Sequence, residues 1–147
     1  MKLTLSDASA IVDAALRAGS SLGKALSVAV VDAGGFLLVV TRADGARPLT
    51  PNIAISKAYS AAVMERPTKM LKPWAESNPG FFASLSAHAA QPIVATEGGV
   101  TVKRDDEILG GLGISGGTGD EDQQICDEVL GALGYQLEFP AWAGVRK

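Results

Sequence analysis

The sequence predicts an α+β domain, a sheet of antiparallel strand pairs with helices packed on it. Two observations carry this. Short β-branched runs come in pairs about turn-forming residues: A-L-S-V-A-V-V, D-A-G-G and F-L-L-V-V-T from Ala25 to Thr41, then Val100 to Ile114 about Arg104-Asp105-Asp106. Apolar residues recur at helical spacing near both ends, from Ala8 to Leu16 and from Ile125 to Leu133. The order helix, hairpin, helices, hairpin, helix shows no repeat and no linker, so residues 1–147 are expected to form one domain.

Thr4 or Ser6 can cap the first helix, in which Ala8, Ile11, Val12, Ala15 and Leu16 share a face and which should end near Gly19. Ala25 to Val31 is almost continuously apolar and suits a central strand buried on both faces. Asp32-Ala33-Gly34-Gly35 turns the chain into a returning strand from Phe36 to Thr41. A polar loop from Arg42 to Pro48 leads to a helix with Thr50 as cap and Pro51 in the first position, running to about Glu65.

That helix is rich in small residues, among them Ala58, Ala61 and Ala62, which let a neighbouring element approach closely. Lys57 has Ile53, Ala54, Ser60 and Ala61 at three and four residues' distance, so it should emerge from an apolar, small-residue surface. A lysine so placed either loses solvation and can act as an anion partner, a base or an amine nucleophile, or snorkels to water as lysines usually do.

Arg66-Pro67 stops the helix, and Thr68 can cap a short piece from Lys69 to Glu76. Asn78-Pro79-Gly80 is a turn signal. Phe81 to His88 suits one or two helical turns, and Pro92-Ile93-Val94 leads through Glu97-Gly98-Gly99 into the second hairpin. From Tyr135 the chain carries Phe139, Trp142 and Val145 without periodicity and is expected to lie against the fold or a neighbouring subunit.

The stretch from Glu107 to Leu133 reads as strand, glycine turn and helix in succession. Ser115-Gly116-Gly117-Thr118-Gly119 can turn several N–H groups toward one point, forming a nest for an anion. Thr118 with Glu121 fits a capping box that starts the helix. Such a turn is either a pocket for an anion or small ligand or a tight connection needed only for packing. No Gly-Lys-Ser/Thr follows the glycines, and Gly111 and Gly113 lie inside the strand, which speaks against a nucleotide loop.

A net charge of −3 without a basic cluster argues against nucleic acid or an anionic membrane as partner. With no apolar leader and no membrane-length apolar run, a cytoplasmic location is the default expectation. The single cysteine, Cys126, falls on the apolar face of the last helix and reads as a core residue. His88, the only histidine, has no companions at metal-ligand spacing, which argues against zinc; an axial haem ligand needs no such companions.

Four pieces in order, V-V-D-A-G-G-F-L, I-S-K-A-Y-S-A-A-V, R-P-T, and E-G-G-V-T-V with L-G-G-L-G-I-S-G-G-T-G-D-E-D beyond it, resemble the GlcG/HbpS family across nearly the whole chain. That family includes the C-terminal domain of PduO-type proteins and is often labelled haem-binding or haem-degrading. The resemblance implies a profilin-like antiparallel sheet of about five strands with N- and C-terminal helices packed on it, and homo-oligomers. It sets Lys57 on the lysine of the family's I-x-K-A helix, and Gly116, Gly117, Glu121 and Asp122 on its S-G-G-x-x-x-x-D segment. For haem, the chain has no N-terminal histidine, leaving His88, Met64 and Met70 as candidate axial ligands.

Three functional expectations follow. The first is a small-ligand-binding oligomer taking haem or a small carboxylate between the Lys57 helix and the turn formed by Ser115, Gly116, Gly117, Thr118 and Glu121. The second is an enzyme with no cofactor acting on a small oxygenated acid, with Lys57 as base or amine nucleophile, Glu121 or Asp32 moving a proton, and the nest holding an enolate. The third is a structural subunit.

Overall fold

The computed structural model describes residues 1–141; Trp142 and Val145 of the expected interface tail lie outside the described residues. Strands β1 (Ser27–Asp32), β2 (Leu37–Arg42), β3 (Gly99–Arg104) and β4 (Glu107–Ser115) form a sheet in the order β2-β1-β4-β3, every neighbouring pair antiparallel. Helices α1 (Leu5–Ser21) and α5 (Gly119–Ala132) cover one face, and α2 (Thr50–Val63) covers the other. Successive side chains of a strand point to opposite faces. Val28 and Val30 therefore pack with Ile11 and Ile125, while Ala29 and Val31 meet Ala54, Ala58 and Ala62 of α2. β1 is buried on both faces, as its apolar run requires.

The sheet holds four strands among the described residues, where the family resemblance implied about five. The extended approach to β3 adds none, because the Ile93 and Val94 N–H groups donate to the hydroxyls of Ser86 and Ser60 at 2.9 and 3.0 Å. Those donors are then unavailable to a ladder.

Local signals divide into those that hold and those that shift. Thr4 and Thr118 both close capping boxes, with Asp7 and Glu121 respectively. Thr50 does not cap: its hydroxyl donates to Arg47 O at 2.7 Å, and α2 begins at Thr50 itself. The helix ends at Val63, and Glu65 takes a left-handed φ of 60° before Pro67. Thr68 does not cap either, since its hydroxyl donates to Thr96 O and accepts the Gly99 N–H. It anchors a 3₁₀ turn (Thr68–Leu71) to β3, and α3 (Lys72–Ser77) follows. Pro79 opens α4 (Pro79–Ser84) rather than a plain turn, as proline does in a first helical turn.

Asp105 and Asp106, with φ of 53° and 60°, make the tight turn between β3 and β4. The chain after α5 then docks on this hairpin. Gln136 N–H donates to Lys103 O at 2.8 Å, the Arg104 guanidinium stacks 4.2 Å from the Tyr135 ring, and Lys103 lies over Phe139. Part of the exposed edge of β3 is covered in this way.

Candidate functional site

Lys57 reaches the glycine bend because α2 lies unusually close to the sheet. Gly111 and Gly113 sit opposite Val31 and Ala29 on the α2 face, and a Cβ on either would collide with the carbonyl oxygens of Ala58 and Ala54. The glycines that dilute β4 thus serve helix-to-sheet contact.

Lys57 is 4% exposed, and its side chain runs under Gly98 to the end of β4. Its Nζ donates to Ile114 O at 2.8 Å and lies 3.3 Å from Asp122 Oδ2. Gly98, at φ 108°, leaves the room: a Cβ there would stand 2.7 Å from Nζ. Asp122 Oδ1 accepts the Gly117 N–H at 3.0 Å. Burial pushes the Asp122 carboxyl up, against the opposing pull of the Lys57 charge and the Gly117 N–H.

The bend that could hold a ligand's anion therefore carries carboxylates of its own helix. Gly117 is served by Asp122, and the Thr118 N–H by Glu121 Oε1 at 2.8 Å. Glu121 closes its capping box, lies 3.4 Å from Lys24 Nζ, and has its carboxyl held below the usual range chiefly by the Thr118 N–H. Ser115, buried, ends β4 opposite Ser27, and Gly116 turns the chain at φ 136°.

Lys57 meets Ile114 O just before the turn and Asp122 just after it, the latter holding the Gly117 N–H, and Asp32 is not among these groups. It ends β1 opposite Gly110, five residues of strand or about 16 Å from the Ser115 end, and its Oδ1 accepts the N–H groups of Gly34 and Phe36 at 3.0 Å each. His88 is exposed at the end of a 3₁₀ turn (Leu85–His88). Met64 packs half-buried with Leu71 and Phe82. Cys126 is buried with its thiol 3.5 Å from Gly98 O, and burial pushes that thiol far up, away from nucleophilic use. Asp122, the partner of Lys57, stood in the sequence only as one position of the family segment; nothing in local spacing pairs residues 65 apart.

Beside this brace lies a cleft of about 400 Å³, within the range of small-molecule sites. The corner before α3 supplies Pro67, Lys69 and Met70, β3 supplies Val100, and the C-terminal stretch supplies Leu137, Glu138 and Phe139. Gln123 and Asp127 of α5 complete it. Gln123 is held by the Gly98 N–H on its oxygen at 3.1 Å and donates to Asp127 at 3.2 Å. Among the described residues no three His, Cys, Asp or Glu side chains gather to hold a bare metal ion, and no helix is long and apolar enough to cross a membrane.

Comparison with known proteins matches residues 3–131 to the family model "Haem degrading protein HbpS-like". The corrinoid adenosyltransferase PduO of Citrobacter freundii is 28% identical over 133 residues, 90% of this chain and 39% of that protein, so the chain spans well under half the length of that relative. Protein GlcG of Escherichia coli K12 is 33% identical over 108 residues, covering 74% of this chain and 77% of that protein. Among solved structures, the crystal structure of a PduOC:heme complex superposes with a TM-score of 0.83 at 28% identity, over 92% of this chain and 98% of that one.

Proposed function

The chain belongs to the family of haem-degrading HbpS-like proteins, and from that premise we propose that it is a small-ligand-binding protein whose ligand is haem. The observation that carries the reading is the composition of the cleft beside the Lys57–Asp122 pair. Pro67, Val100, Leu137 and Phe139 give it apolar walls for a macrocycle, Met70 gives it a thioether of the kind that ligates haem iron, and Lys69 gives it a cation for a propionate. Its donor set suits the group, and the haem held by a close structural neighbour supports the assignment. Bound haem would supply a redox-active iron.

The chain's own residues would do the rest. Gln123, fixed between Gly98 and Asp127, keeps the floor rigid. The Tyr135–Phe139 stretch, held on Lys103 and Arg104, closes one side. Lys57 takes a supporting role in this reading: paired with Asp122 and Ile114 O, it fixes the start of α5 on which Gln123 and Asp127 stand. The working form is taken as a homo-oligomer, for which the exposed Leu49, beside Ile53 and Val94 on an apolar hollow, offers a contact surface.

Titration of the purified chain with haemin tests the proposal. A saturable, shifted Soret band is expected, with Met70→Ala altering the band and His88→Ala leaving it unchanged. A band that stays that of free haem, or one abolished by His88→Ala and untouched by Met70→Ala, would overturn the cleft assignment.

A further inference from the structure

A second cleft, of about 200 Å³, lies at the end of the sheet where three chain reversals meet. Gly23 after α1, Gly45 after β2 and Gly116 after β4 all line it, and all three take positive φ, of 70°, 90° and 136°. Three backbones without side chains therefore leave one hollow. A Cβ at Gly116 would stand 2.6 Å from Ala25 O, so that reversal is tied to glycine.

Two cations, Lys24 and Arg47, stand in the wall. Lys24 already holds a carboxylate, that of Glu121 at 3.4 Å. Arg47 has no ion pair among the described residues, although its backbone is fixed: its carbonyl accepts both the Thr50 N–H at 3.0 Å and the Thr50 hydroxyl at 2.7 Å. That second bond uses the only hydroxyl proton of Thr50, so Ser27 Oγ, 2.8 Å away, is the donor in the Ser27–Thr50 contact. Among these wall side chains, the donors left for a ligand are the two cations.

We propose that this cleft binds a small organic monocarboxylate. The planar guanidinium of Arg47 matches a carboxylate in a two-bonded arrangement, Lys24 is shared between the ligand and Glu121, and the methyl groups of Ala25 and Ala46 face a short carbon chain. The volume, about half that of the haem cleft, suits a short-chain acid. With Lys24 already paired to Glu121, one cation is left unneutralised, which matches the single charge of a monocarboxylate. This site is separate from the haem cleft, shares no lining residue with it, and stands whether or not haem binds.

The test is an amide-shift titration of the labelled full chain with acetate and propionate at ionic strength held constant with chloride. Saturable shifts at Lys24, Gly45, Arg47 and Gly116 are expected. Arg47→Gln should weaken the affinity roughly tenfold or more, Arg47→Lys should weaken it less, and Lys24→Gln gives a second, independent loss. Thermal unfolding of each variant at the parent's midpoint confirms an intact fold, and an unchanged haemin titration in Arg47→Gln separates this site from the haem cleft. Linear shifts reproduced by chloride alone, an affinity unaffected by Arg47→Gln, or saturation by inorganic phosphate without saturation by acetate would each overturn the proposal.

Discussion

The ammonium of Lys57 and the carboxylate of Asp122 stand 3.3 Å apart with side-chain exposures of 5% and 3%, and between them they join α2, the end of β4 and the start of α5. An ion pair so deep gains little over an apolar pair of similar size, but either member alone is a stranded charge.

Replacing Lys57 alone with methionine should therefore cost about 3–5 kcal/mol. The double variant Lys57→Met with Asp122→Asn should recover most of it, because asparagine is uncharged and its oxygen still accepts the Gly117 N–H. The single variant also carries a pH signature. Burial raises the Asp122 carboxyl in the folded state, and removing Lys57 removes the largest opposing influence. A carboxyl raised on folding binds its proton more tightly in the native state, so stability falls as pH rises from its unfolded value through its folded one. Urea midpoints of Lys57→Met should accordingly approach those of the parent on acidification from neutral toward pH 5. A gap that widens instead would mean that Asp122 is not the stranded group.

Gly111 and Gly113 set the distance between α2 and the sheet. Gly113→Ala places a methyl against the Ala54 carbonyl, backbone that cannot rotate away, so a loss of about 1–3 kcal/mol or more is expected. Gly23→Ala meets nothing within 4 Å and suffers only from its φ of 70°, for which about 1 kcal/mol is expected. Denaturant unfolding of the two side by side separates crowding from backbone conformation, and equal losses would show that α2 can shift.

Much of the fold was legible because it rests on residues close in sequence. The Thr4 cap, the Thr118–Glu121 box, the almost continuous apolar run of β1 and the paired aspartates after β3 each state their structure within a few positions. Thr50 and Thr68 misled for the opposite reason. A threonine before a helical run fits a cap, but both hydroxyls are taken by backbone groups that only the tertiary fold brings near. The same limit applies at the site. The small-residue surroundings of Lys57 pointed to a desolvated lysine, while its partner is 65 residues distant and depends on how β4 registers against β1. Nor does local pattern assemble Gly23, Gly45 and Gly116, which meet only because three connections fall at one end of the sheet.

The two capping boxes make a last, acid-side prediction. In α1 the Asp7 carboxylate accepts the Thr4 N–H at 3.0 Å and lies against the Thr4 hydroxyl, and these bonds, the backbone one foremost, hold its carboxyl below the ordinary value of 3.8. A carboxyl lowered on folding contributes stability that is complete above its unfolded pKa and is lost as pH falls through its folded one. Asp7→Asn retains an acceptor oxygen without the charge. The difference in urea midpoint between parent and Asp7→Asn should therefore be constant from neutral pH to about pH 5, then shrink and vanish near or below about pH 3. Asp122 titrates with the opposite sign and Glu97 and Glu121 with the same sign as Asp7, so the parent's own acid profile mixes all of them. Subtracting the variant cancels the shared groups. A difference that persists unchanged to the lowest pH would assign the cap's worth to the hydrogen bond alone and leave the charge with no part in it.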